Sequence, residues 1–257
     1  MESNGKIAVV GATGRAGHHT VNALTERGHE VVEIARSKGV DIITGEGLEE
    51  ALAGVTTIVD AATGPSPEEA AATEFFTTAA RNLQAAGERA GARQIVVVSI
   101  IGIDGSQGGY GAAKIAHERA YATGPIPARI LRASQFHEFV GQLVDWGREG
   151  DVAYVPPMRT QLVASRTVGE ALAGLATEEA PSNGATAQIL EIAGPREERL
   201  VDVARVLVAK RGEHLRIEER AQPGDPDAGL GADGSLLPGP DATLAGPTFE
   251  EWLESAA

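Results

Sequence analysis

The chain of 257 residues contains no cysteine. That excludes a disulfide scaffold, thiolate catalysis and any Cys-ligated metal. Aromatic residues are scarce at 4%: three Tyr, two Trp and five Phe. No apolar run approaches the roughly 18 to 20 residues that a membrane span requires. Residues 221–257 lack Lys and Arg altogether and carry seven acids. No metal-ligand pattern is present either. His18 and His19 are adjacent, and adjacent residues do not share a helix face. No Gly-x-Ser-x-Gly elbow and no His-Glu-x-x-His occur.

What is there fits a globular domain: 42% hydrophobic and 23% charged residues. The net charge is −14, so the basic footprint of a nucleic-acid binder is missing. The acid is unevenly spread. Residues 1–40 carry a net charge of +1 and the acidic end carries −7. A neutral-to-basic start in an acidic chain hints at an anion site near the N-terminus. Met1 to Lys6 runs straight into a strand without the apolar region of a signal peptide. With the missing cysteines, that leads to the expectation of a bacterial-type cytoplasmic protein.

The periodicity predicts alternating strands and helices. Strands are expected at 6–10, 30–35, 40–43, 57–61, 94–99 and 128–132, and helices at 16–27, 67–90 and 110–122, with a helical turn at 48–53. This is the rhythm of a doubly wound parallel sheet, an α/β Rossmann architecture. Beyond residue 133 the rhythm loosens. Helices are expected at 138–148, 167–177 (with Ser165 as N-cap), 200–211 and 249–254, and strands at 152–155 and 188–193. The division that follows is a cofactor-binding core at 1–133, completed or extended by a strand at 187–193. A small C-terminal substrate-binding subdomain takes most of 134–257. Residues 222–247, rich in Gly, Pro and Asp, are expected to form a long ordered loop or a mobile segment.

Gly11-Ala12-Thr13-Gly14-Arg15-Ala16-Gly17 lies between the first strand and the first helix. A pyrophosphate needs a sharp turn, a backbone without Cβ and close helix–strand packing there. Gly11, Thr13, Gly14, Arg15 and Gly17 are therefore candidates to hold a dinucleotide, as is Ala62 after the fourth strand. A tight turn that binds nothing is the alternative. After the second strand, Arg36, Ser37 and Lys38 fall about where the 2′-phosphate of NADP would lie, and Arg15 can reach the same phosphate. Glu33, a possible acid for the ribose of NAD, sits two residues early. The expected cofactor is NADP, ahead of NAD.

Tyr110 and Lys114 lie four apart on one helix face. A tyrosine can protonate a carbonyl oxygen as hydride arrives, and a nearby Lys cation lowers its pKa from about 10. Lys114 would also hold the nicotinamide ribose. Ser99, at the carboxyl edge of its strand, could steady the substrate oxygen. In the alternative reading, Tyr110 and Lys114 only hold ribose.

Five stretches resemble the short-chain dehydrogenase/reductase superfamily, specifically its atypical NmrA-like, NAD(P)H-binding branch. They are Val10-Gly11-Ala12-Thr13-Gly14, Val98-Ser99-Ile100-Ile101-Gly102, Tyr110 with Lys114, Leu131-Arg132-Ala133-Ser134-Gln135-Phe136, and Glu191-Ile192-Ala193-Gly194-Pro195. The resemblance runs over nearly all of the chain. It implies a Rossmann core, NADP or NAD, and reduction of a quinone, enal or similar small carbonyl. It also implies a second outcome, since the branch includes cofactor-binding redox sensors without turnover. Two features depart from the pattern: the stretch from Ser99 to Tyr110 is short and Gly-rich, and Gly111 stands where relatives often carry an aromatic.

On the substrate side, Gln135, Phe136, His137 and Phe139 follow the sixth strand, where nicotinamide is expected. Trp146 and Tyr154 could close the pocket. Aromatic walls suit a flat substrate. Phe75 and Phe76 are expected in the core or on a dimer face, since the helices at 67–90 and 110–122 could pair in a homodimer. The resulting expectation is an NADP-dependent reductase of a small carbonyl, enal or quinone-like molecule, with Tyr110 as proton donor. The alternatives are a cofactor sensor and a redox-neutral isomerase or cyclase on the same fold. Nucleic acid and membrane are not expected partners.

Overall fold

The computed structural model describes residues 5–179, 187–221, 224 and 226–255. The reading of Met1 to Asn4, and that of 222, 223 and 225 as loop, lie outside the described residues.

The chain order is β1 (Lys6–Val10), α1 (Arg15–Glu26), β2 (Val31–Ile34), α2 (Leu48–Ala51), β3 (Val55–Asp60), α3 (Glu69–Ala90), β4 (Gln94–Ile100), α4 (Gly109–Ala122) and β5 (Ala128–Ala133). Then come α5 (His137–Trp146), β6 (Arg148–Glu149), β7 (Val152–Val155), β8 (Arg159–Thr160), α6 (Ser165–Thr177) and β9 (Ala187–Ala193). The chain continues with β10 (Glu198–Arg199), α7 (Leu200–Lys210), β11 (Arg216–Glu219), α8 (Ala228–Ala232), β12 (Thr243–Leu244) and α9 (Phe249–Ser255).

Seven strands form one parallel sheet in the order β12-β9-β5-β4-β3-β1-β2. The runs KIAVV, VTTIVD, QIVVVSI and ARILRA are apolar on both faces because helices cover both. Ala8, Val10, Ile58, Val97 and Ile130 face α3 and α4, where Leu83 and Tyr121 meet them. Ile7, Val9, Val59, Val96 and Leu131 face α1 and α6 through Leu24, Val168 and Leu172. Leu24, Val168 and Leu172 are fully buried, and each such side chain contributes roughly 2 kcal/mol.

α6 and β9 come late in the sequence yet belong to this main layer. A second core is built from α5, α7, α9 and the small sheet β11-β7-β6, around Val140, Val155, Leu207, Ile217 and Phe249.

Two local expectations are corrected. Residues 40–43 form no strand. Asp41 turns the chain there, its Oδ1 accepting from the N–H of Ile43 (2.7 Å) and Thr44 (3.2 Å). Ser165 is not the N-cap of α6 but its first residue, following Ala164. The helix start is held instead from α5: Glu138 accepts from the Ser165 hydroxyl (2.7 Å) and its N–H. The described part of the Gly/Pro/Asp-rich stretch is ordered and crosses the carboxyl edge of the sheet as a strap. Asp227 Oδ1 accepts from the N–H of Gln107 (2.8 Å), Gly239 N–H donates to Glu191 (2.7 Å), and Ala245 N–H to the Ala193 carbonyl (2.9 Å).

Candidate active site

A cleft of about 900 Å³ opens at the carboxyl edge of β1, β2, β3 and β4. It is the position that an open α/β sheet reserves for ligands. Gly11, Thr13, Gly14, Arg15, Arg36 and Ala62 line it, as read from the sequence. So do residues that the sequence reading missed: Asp41 to Ile43 after β2, Thr63 and Pro65 after β3, and Glu74, Phe75 and Thr78 on α3. Asp41 was hidden by the strand assigned to its segment. The others carry no motif and reach the cleft only through packing.

The glycine loop is pressed into place. Gly11 has φ +71°, and a Cβ there would stand 2.7 Å from the Ala61 carbonyl oxygen. Gly17 does not line the cleft; a Cβ on it would meet the Gly11 carbonyl oxygen at 2.1 Å. Gly14 caps α1 with no side-chain bond, so the first-turn N–H groups stay open toward the cleft with the positive end of the helix dipole. Arg15 adds a guanidinium, tied by 3.2 Å to Gln142 Oε1 on α5. Such an arrangement can hold a pyrophosphate.

After β2, Arg36 opens a 3-10 turn and lines the cleft. Ser37 and Lys38 do not line it. Lys38 is paired at 3.2 Å with Glu33, and both are exposed. The acid two residues early is thus engaged by a lysine.

Tyr110, Lys114 and Ser99 do not line the cleft. Ser99 is buried and its hydroxyl has no partner among the described residues. The Tyr110 ring meets Phe76 edge-on at 5.7 Å, and burial pushes its phenol up to about 12. Lys114 turns inward. Its Nζ donates to the Val98 carbonyl (2.9 Å), meets His117 Nδ1 (2.9 Å) and lies 4.5 Å from the centre of the Phe76 ring. Val98 itself lines the cleft, so the ammonium sits directly behind a cleft wall. Burial lowers Lys114 to about 8, against the opposing pull of Asp60 and Glu118.

Behind Lys114 lies a polar chain that the sequence reading did not pick out. His117 Nε2 is 3.1 Å from Asp60 Oδ2, and the Tyr121 hydroxyl donates to the same oxygen at 2.7 Å. Asp60 Oδ1 accepts from the Ala62 N–H at 3.0 Å. Desolvation pushes His117 down to about 4, and Lys114 adds to that shift. Asp60 stays below the usual carboxylate range because its bonds to His117, Ala62 and Tyr121 outweigh burial. The available signal was a carboxylate ending an apolar strand, with a His and a Tyr on one helix face.

The loop from β4 to α4 is pinned from below. Arg132 donates to both Asp104 oxygens (2.5 and 2.9 Å) and to both Glu118 oxygens (3.0 and 2.8 Å). The strap lies on the same loop: a Cβ on Gly102 would stand 2.2 Å from the Ser235 carbonyl oxygen.

Of the expected substrate-side residues, Phe136 lines the cleft. Gln135 accepts from the Thr160 hydroxyl at 2.5 Å, and Phe139 packs edge-on against the exposed Trp146. His137 turns away from the cleft. Its Nε2 bonds the Pro247 carbonyl oxygen at 3.2 Å and its ring packs on Phe249 and Trp252, so it anchors the C-terminal helix. Tyr154 lies under Arg220, which pairs with Glu149, in the small sheet.

Residues 11–137 match the model of an NAD(P)H-binding family. No curated protein matches the chain significantly. Several solved structures share the whole fold. MoeE5 in complex with UDP-glucose and NAD has a TM-score of 0.69 at 19% identity, with 98% of this chain and 99% of that chain covered. An NADPH-dependent quinone oxidoreductase from Escherichia coli has a TM-score of 0.67 at 18% identity, covering 97% and 99%. Triphenylmethane reductase from Citrobacter, complexed with NADP(H), has 0.67 at 17%, covering 98% and 100%. Residues 11–137 are thus similar to an NAD(P)H-binding domain, and the whole chain shares the Rossmann fold of these solved structures.

Proposed function

We propose that the protein is an NADP-dependent reductase of a small carbonyl, enal or quinone-like substrate. The observation that carries the reading is the single cleft running from the glycine cradle and Arg36 to Phe75, Val98 and Phe136. One end suits phosphates and the other an apolar, planar group. The likeness in fold to a quinone oxidoreductase and to triphenylmethane reductase supports the same class.

Gly11, Gly14 and the start of α1 would hold the pyrophosphate, with Arg15 beside them. Arg36 would take the 2′-phosphate, while the Glu33–Lys38 pair removes the acid that favours NAD. Bound in this way, the reduced nicotinamide supplies a hydride. Tyr110 is the proton donor; a phenol raised to about 12 keeps its proton through neutral pH. Lys114 provides positive charge behind Val98, and Ser99, whose hydroxyl has no partner among the described residues, steadies the substrate oxygen.

A second reading, a cofactor sensor without turnover, is favoured by one observation. Lys114 is bound inward, and Tyr110 and Ser99 stand outside the cleft lining. The test is a fluorescence titration with NADPH and NADH, followed by NADPH oxidation against a panel of quinones, enals and ketones. Tighter NADPH binding with turnover is expected. Binding without turnover would establish the sensor, and absence of binding would defeat both readings.

A further inference from the structure

The Asp60–His117–Lys114 chain has a direction. Asp60, ionised and buried, can only accept. Its Oδ2 accepts a hydrogen bond from the Tyr121 hydroxyl and stands 3.1 Å from His117 Nε2, so that nitrogen must carry the imidazole proton. The other nitrogen, Nδ1, is left as a lone-pair acceptor 2.9 Å from the Lys114 ammonium, which has only protons to give. Phe76 fixes both partners, its ring stacked on the imidazole at 4.6 Å and facing the ammonium at 4.5 Å. His117 and Asp60 are each 1% exposed and Lys114 3%. The same carboxylate also holds the N–H of Ala62, which lines the cofactor cleft.

We propose that Asp60 and His117 are positioning residues for Lys114. The carboxylate sets the imidazole tautomer, and the imidazole holds the ammonium against the Val98 carbonyl on the cleft wall. This rests on the reductase reading only for its consequence in catalysis; the chain itself is a property of the folded protein. Every ionisable group facing the ammonium is part of the account: Asp60 from β3, and His117 and Glu118 from α4, with Tyr121 bound to Asp60. Asp60 and Glu118 favour the cation. Neutral His117 favours it by accepting a hydrogen bond, and burial opposes it.

The experiment uses the full chain labelled at lysine Nζ and at the histidine ring nitrogens. Only four lysines occur, Lys6, Lys38, Lys114 and Lys210, so Lys114 is assigned by a Lys114→Met control. The expected result has two parts. His117 is a neutral Nε2–H tautomer across pH 5 to 8, in line with the value of about 4 to which burial lowers it. Lys114 titrates near 8, and His117→Phe, which keeps the ring stack but removes the acceptor, moves it down by about one unit. His117→Asn, which restores an acceptor at the Nδ1 position, recovers part of that shift.

A protonated Nδ1, or a Lys114 midpoint unmoved by His117→Phe, overturns the proposal. Should His117→Phe not fold, the wild-type tautomer and the His117→Asn titration decide it. NADPH titrations at several pH values run beside these. NADPH that fails to bind while the resonances behave as expected refutes the reductase reading and leaves the positioning chain standing. Binding with the opposite tautomer does the reverse.

Discussion

Lys38 Nζ lies 3.2 Å from Glu33 Oε2, an ion pair that folds the 3-10 turn back onto β2. Its consequence is selective. Arg36, two residues before Lys38, lines the cleft and makes no ion pair among the described residues. An Arg–phosphate contact is worth about 1.5–3 kcal/mol. Arg36→Ala should weaken NADPH binding by roughly tenfold to a hundredfold and leave NADH binding nearly unchanged. Calorimetric titration with both nucleotides checks this, and equal losses for the two would remove Arg36 from the 2′-phosphate.

Gly17 tolerates no side chain. The 2.1 Å approach to the Gly11 carbonyl oxygen is backbone against backbone, with no flexible end to yield. Gly17→Ala should destabilise the fold by about 2–4 kcal/mol and abolish cofactor binding, because the loop and α1 must separate. Urea denaturation and NADPH fluorescence measure the two effects.

Tyr110→Phe separates chemistry from folding. The phenol oxygen bonds no described residue, and the ring packing on Phe76 is retained by phenylalanine. Turnover should fall by a factor of 100 or more, on the order expected for a lost general acid, with NADPH affinity and stability unchanged. An unchanged kcat would rule out Tyr110 as the donor.

His117 makes stability depend on pH. Its folded pKa of about 4 lies below the ordinary histidine value of 6.5, so the unfolded chain binds more protons between those values. The stability is full above about 6.5 and is lost as pH falls toward 4. Asp60, also lowered, has the same sign but acts only as pH falls below the ordinary carboxylate value, under this window. The loss is on the order of 2–3 kcal/mol. Denaturation midpoints at pH 7 and pH 4.5 should differ accordingly. His117→Gln, which keeps a donor for Asp60 but does not titrate, should flatten the difference; a slope of the same size in that variant would assign it elsewhere.

Gly102 seats the strap. It has φ +79°, and a Cβ would meet the Ser235 carbonyl oxygen at 2.2 Å. Gly102→Ala should lift the strap off the loop between β4 and α4 while the sheet stays folded. Limited proteolysis should then cut faster within residues 226–247, and an unchanged cleavage rate would show that the contact is dispensable.

Much of this molecule was legible in the sequence, for local reasons. Lys6–Val10, Gln94–Ser99 and Ala128–Arg132 read as strands because a doubly covered sheet demands unbroken apolar runs. Gly11, Gly14 and Gly17 read as a tight loop between strand and helix because a turn, an open backbone and close packing each ask for a missing Cβ. Arg15, Arg36 and Phe136 came with them, since their places follow from strand ends alone.

Only the tertiary structure decided which groups meet. Residues 40–43 look like a strand by composition, but Asp41 takes the backbone N–H groups of Ile43 and Thr44 and so makes a turn. Ser165 looks like a cap by position, yet Glu138 from another helix supplies the acceptors. His137 follows the sixth strand as a pocket residue should, but α9 claims its ring. The i, i+4 spacing of Tyr110 and Lys114 was visible in the chain. That Lys114 turns inward was not, because it depends on Asp60, 54 positions earlier in the sequence, and on burial against the Phe76 ring. Spacing along a chain fixes which residues share a face; burial, which only the packed whole creates, fixes which of them must find a partner.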